Sequence, residues 1–128
     1  MAALGLFDRK KLKFEKIKIS SKKINSDQSC TITFNIKNFK NKFEKITAVT
    51  KTDDLKNQYL RIDKPVIELP SLDFPNRNTG DHFVVITPKD IPLGKMLFKI
   101  SVEILADDNN KPYVKKDFNL VVNKKLKN

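Results

Sequence analysis

The sequence predicts an all-β chain, an immunoglobulin-like antiparallel β-sandwich of about seven strands with Greek-key connections. Three observations lead there. Apolar and polar residues alternate with period two, most clearly where Cys30, Ile32, Phe34 and Ile36 interleave with Thr31, Thr33, Asn35 and Lys37. Turn-forming residues break the pattern at intervals of about a dozen residues. No stretch carries the three-four apolar spacing of a long amphipathic helix, and no unit repeats along the chain.

The elements follow in order. Leu12 to Ile19 changes face midway, Leu12 and Phe14 sharing one parity and Ile17 and Ile19 the other. One extra residue reverses every later side chain, so this segment reads as an edge strand with a bulge. "SSKKINSDQ" reads as a polar turn into a second strand, Ser29 to Lys37. Phe43 to Lys51 forms a third with Ile46, Ala48 and Val49, closed by "TDDLKN". Tyr59 to Leu69 is broken by Pro65, which has no backbone donor and marks an edge, a bulge or a boundary between two short strands. "PSLDFPNRNTGD" is a long loop, and long loops in small domains are places to look for function. His82 to Thr87 is the fifth strand. The sixth turns Met96, Phe98, Ile100, Val102 and Ile104 to one face, and "DDNNKP" leads into the last, Tyr113 to Asn123.

The expected organisation is a short N-terminal tail (residues 1–11), one sandwich domain (12–123) and a basic C-terminal tail (124–128). A chain of 128 residues holds one ordinary core. The marks of an antibody domain are missing: there is no Trp, and Cys30 is the sole cysteine. Cys30 therefore reads as a small buried hydrophobe, and no cysteine or histidine spacing suits a structural zinc.

"TITFNIKNF" resembles the second strand of CARDB-type archaeal surface-associated immunoglobulin-like domains, an alternating strand that ends in Asn before a short loop. "VVITPKDIPLGKMLFKISVEI" is similar to the same group's order of strand, Pro, turn Gly and strand. The likeness covers about 75 residues in outline. It departs where Phe39 stands in place of a Gly after the Asn. The order of "NIKN", "TKTDD", Tyr59 and Pro70 is also similar to major-sperm-protein-like sandwiches. Both resemblances imply binding or scaffolding, and neither supplies catalytic residues.

The polar residues agree. His82 has no nucleophile elbow in the sequence, and "GK" at Gly94 and Lys95 lacks an upstream glycine loop, so neither a hydrolase triad nor a phosphate loop is indicated. Asp53-Asp54 and Asp107-Asp108 fall in loops at opposite ends of a sandwich and cannot share an ion. No cofactor, metal or catalytic residue is expected, and the chain reads as a non-enzyme.

Two binding surfaces are expected instead. Loops Asn38 to Lys42, Pro75 to Asp81 and Ala106 to Pro112 should gather at one end, bringing together Phe39, Lys40, Arg77, Asn78, Asn109 and Asn110 for a protein contact. The second rests on charge. The chain carries a net charge of +11, with 14 cationic against 6 acidic residues over 1–58, 6 against 8 over 59–110 and 6 against 1 over 111–128. If first and last strands are neighbours, Lys16, Lys18, Lys22 and Lys23 meet Lys115, Lys116, Lys124 and Lys125 in a basic stripe. Such a stripe can hold phosphate by counterion release. Lysine supplies 23 of the 26 cations, which is also the usage of an AT-rich genome. The leading expectation is a binding or scaffolding domain for protein partners, acting through loops or an exposed strand edge. The alternative is an accessory protein docking on nucleic acid or an anionic membrane surface. With no signal-peptide pattern and no apolar run long enough to span a bilayer, the cytoplasm is the default location and cell-surface association is left open.

Overall fold

The structure is a computed structural model that describes residues 11–54, 58–107 and 110–126. Of the expected tails, only Lys11, Lys124, Lys125 and Leu126 fall within these ranges. Among the described residues nine strands form: β1 (Leu12–Ile19), β2 (Lys23–Asn25), β3 (Cys30–Asn38), β4 (Ile46–Thr52), β5 (Leu60–Ile62), β6 (Val66–Leu69), β7 (His82–Pro88), β8 (Gly94–Ala106) and β9 (Val114–Lys124). They make a four-stranded sheet in the order β1-β3-β7-β5 and a five-stranded sheet in the order β2-β9-β8-β4-β6. All ladders are antiparallel except β2 with β9, which is parallel.

The alternating residues do what their parity dictates. Cys30, Ile32, Phe34 and Ile36 from one sheet and Phe98, Ile100, Val102 and Ile104 from the other are buried between the layers. The parity change in β1 is a bulge: the register with β3 shifts between Phe14 and Lys16, so that both Phe14 and Ile17 face inward. Gly94 opens β8 with φ of +106°, a conformation that L side chains rarely adopt.

Two details differ from expectation. The "SSKKINSDQ" segment holds a strand, β2, whose three residues carry only one apolar side chain, Ile24, too short a run to show a period. The segment broken by Pro65 is divided between the two sheets: β5 pairs with β7, and β6 pairs with β4. The proline lies at the crossing, where its carbonyl still accepts the Thr50 N–H at 2.8 Å.

Aspartates hold the chain at these crossings. Asp63 Oδ1 accepts the Val85 N–H at 2.8 Å, and Asp54 Oδ2 accepts the N–H groups of Tyr59 (2.7 Å) and Leu60 (3.0 Å). Burial pushes the Asp54 carboxyl up, but bonds from the Tyr59, Leu60 and Gln58 backbone and the nearby Lys89 outweigh it and leave it below the usual carboxylate range. A group depressed on folding stabilises the fold above its unfolded pKa of about 4, and that contribution disappears as pH falls through the folded value. Denaturant titrations at neutral pH and below pH 4 should therefore show a loss on acidification that is smaller in Asp54→Asn than in the native chain.

Cys30 is 1% exposed, and burial pushes its thiol up to about 11. A thiol held protonated among apolar neighbours is inert. An aromatic disulfide reagent should leave it untouched in the folded protein and label it in denaturant. Cys30→Ser, which puts a hydroxyl in the same apolar site, should cost about 1–3 kcal/mol in urea unfolding.

Candidate protein-binding surfaces

Asn38, the last residue of β3, is fully buried and builds the loop end of the sandwich. Its Nδ2 donates to the carbonyls of Asn41 (2.7 Å) and Phe74 (2.8 Å), and its Oδ1 accepts the Arg77 N–H at 2.8 Å. The backbones join as well: Asn38 N–H donates to Arg77 O, and Asn76 N–H to Phe39 O at 2.9 Å, with Asn76 at φ of +57°. One amide thus binds the β3–β4 loop to the long loop after β6. Phe43 bridges Leu72 beneath them and packs edge-on against Tyr113 at 5.4 Å. Asp107 N–H donates to Lys45 O at 2.7 Å, and Asp107 Oδ1 faces the N–H groups of Glu44 and Lys45, which draws in the third loop.

The expected residues are distributed unevenly over this end. Lys40, Arg77, Asn78 and Asn110 are exposed, and Asn109 lies outside the described residues. Phe39 is half-buried, with Lys13 Nζ 4.9 Å above its ring. The exposed aromatic of this end is Phe74, 64% exposed, with the Arg77 guanidinium 5.7 Å from its ring centre. Its place between Asp73 and Pro75, outside any alternation, was the available signal.

The expected basic residues are spread over both sheets. β1 and β9 belong to different sheets but approach one another along one side of the sandwich, and β2 is hydrogen-bonded to the end of β9. Lys16 and Lys18 pair with Asn35 and Thr33 on the outside of the four-stranded sheet, Lys16 holding Asp81 at 2.9 Å. Lys23 is level with Val121 on the other sheet. Lys115 and Lys116 stand opposite Glu103 and Val102, and Lys116 is eight residues along β9 from Lys124, a distance of roughly 26 Å at the rise of a strand.

The remaining candidates for chemistry serve structure. His82 stacks on Phe34 at 6.0 Å, with Nε2 3.3 Å from Thr79 O. Asp53 Oδ1 accepts the Lys99 N–H at 3.0 Å, while Asp108 lies outside the described residues. Among the described residues there is no group of three or more His, Cys, Asp or Glu placed to hold a metal, and no helix long and apolar enough to cross a membrane.

The sheet edges give the sharpest contrast. Backbone groups of β2 that point away from β9 are all bonded within the chain. Ser21 Oγ donates to Lys23 O (2.6 Å) and faces Lys23 N–H (3.3 Å), while Gln28 takes Asn25 N–H on Oε1 (2.9 Å) and gives its own N–H to Asn25 O (3.0 Å). This edge cannot accept another strand.

β9 is different. It has eleven residues, and β2 covers only Val121 to Asn123. Val121 N–H donates to Lys22 O, and ladder alternation then turns the N–H and C=O of Lys115, Asp117 and Asn119 to the same side. Among the described residues these groups have no backbone partner. On the solvent face above them Asp117 accepts from Ser101 Oγ at 2.6 Å and sits near Lys115 and Lys99, and the Ser101 bond foremost holds its carboxyl below the usual range.

No family model matches the sequence, and no curated protein matches it. Solved structures do match. The periplasmic chaperone SfaE superposes with a TM-score of 0.54 at 10% identity, over 85% of this chain and 57% of that one. The YadV chaperone gives 0.53 at 15% identity, over 84% and 51%. The cupredoxin domain of amoB from Nitrosocaldus yellowstonii gives 0.55 at 9%, over 89% and 88%. The chain is an all-β sandwich, and these neighbours are sandwiches of immunoglobulin-like and cupredoxin-like fold. The chain spans just over half the length of the chaperones it matches, and at such identities the likeness speaks to fold alone.

Asn38→Ala should orphan two carbonyls and an N–H at once, and a cost of about 2–3 kcal/mol is expected. Urea unfolding measures it, and faster hydrogen exchange at Arg77 should accompany it.

Proposed function

We propose that residues 12–123 form a single non-enzymatic binding domain whose partner is a protein, taken up as an extra strand on the open half of β9. The observation that carries this reading is the contrast between the two ends of one sheet edge. Ser21 and Gln28 close the β2 portion, whereas Lys115, Asp117 and Asn119 present unpaired backbone groups over five residues. Strand addition draws its affinity from main-chain bonds and its specificity from alternate side chains. Phe14, Ile17 and Ile19 of β1, only partly buried, flank the seam beside β9 and offer apolar contact to an incoming strand. The loop end, with Phe39, Lys40, Arg77, Asn78, Asn109 and Asn110 joined by Phe74, is a second contact surface for the same partner. Chaperones among the solved neighbours handle other proteins, which agrees with the reading, as does the resemblance of the β3 sequence to CARDB-type domains.

Random peptides of about seven residues, displayed on phage and selected on the protein, test this directly. Enriched peptides should bind Asn119→Pro about tenfold or more weakly, because proline there removes an outward donor and leaves the β8 ladder intact. Equal binding to the native and Asn119→Pro proteins, or no enrichment, would rule out the edge.

A further inference from the structure

At the opposite end of β9 the five-stranded sheet carries a surface that strand addition does not use. Leu97 and Val121 are cross-strand partners on its outer face, and with Lys23, Asn25, Lys95 and Asn123 they line a shallow hollow of about 650 Å³. A second hollow of about 360 Å³ shares Asn25 and Asn123 and adds Asp27, Lys124, Lys125 and Leu126. The two are therefore one continuous surface. Four lysines and one carboxylate line it. Leu97 and Leu126 are each 74% exposed, and Leu93, 60% exposed, directly precedes the Gly94–Lys124 pair at the same corner.

We infer that this corner docks on an anionic lipid bilayer. Charge selects the occupant, since the lysines outnumber the single acid and lysine stems lie along apolar surface while their ammonium groups reach headgroup phosphates. Shape selects it over an acidic peptide. The hollows are shallow and the leucines that line them are three-quarters exposed, so they stand out toward solvent, and a leucine so exposed and ringed by lysines enters the boundary between headgroups and acyl chains. The two contributions are separable: cations supply attraction that salt screens, and leucines supply attraction that it does not.

Co-sedimentation with vesicles of phosphatidylcholine containing about one-third phosphatidylglycerol tests the inference, with pure phosphatidylcholine as reference. The protein should pellet with anionic vesicles only. Leu97→Ser combined with Leu126→Ser should weaken partition about tenfold at unchanged charge. Lys23→Glu with Lys95→Glu should weaken it more than the charge-matched pair Lys18→Glu with Lys37→Glu on the other sheet. If the leucine variant pellets like the native protein, or the two lysine pairs are equivalent, only the diffuse pull of the +11 charge is acting and the corner is no docking site. If vesicles are ignored while poly-glutamate binds in a Leu97-dependent way, the corner belongs to an acidic protein instead. Asn119→Pro should leave vesicle binding unchanged, so this inference and the strand-edge reading fail or stand separately.

Discussion

The passage of the chain from one sheet to the other between Ile19 and Lys23 is the constraint on which the rest of the molecule depends. Up to Ile19 the chain pairs with β3; from Lys23 it runs parallel to the end of β9. A single continuous first strand in either sheet would have covered one edge along its length. Divided, it closes the end of β9 and leaves the beginning open. The same switch places the lysines of β1 on one sheet and those of β2 and β9 on the other.

Polar side chains secure the irregular parts by standing in for backbone. Asn38 satisfies three main-chain groups from two loops, Asp54 and Asp63 hold the start and end of β5, and Asp107 fastens the β8–β9 connection to the beginning of β4. Buried or half-buried backbone must find partners. Where strands part company these short side chains provide them, and residues that look like metal ligands or surface amides are consumed in the process.

Fold and core were legible because they rest on a local code. Parity alone predicted the strand limits to within three residues at most boundaries, and even the bulge in β1 was visible as a change of face. What was not legible is non-local. Three residues of β2 cannot display a period, and its pairing with β9 involves positions almost a hundred apart. Phe39 and Phe74 both stand in loops with a cation beside the ring, and it is their exposure in the folded chain, half-buried against 64%, that separates them. The open stretch of β9 is invisible in its own residues, since it is defined by where another strand stops.

The two sides of the sandwich are unequal in a way that bears on assembly. On one side lie β1, bulged, and β9, half covered; on the other lie only β5 and β6, of three and four residues. Growth of a fibre by edge-to-edge stacking requires a donor edge and an acceptor edge on opposite flanks of every subunit. With one long flank and one of three- and four-residue strands, the longest run of backbone open to another strand lies on a single flank.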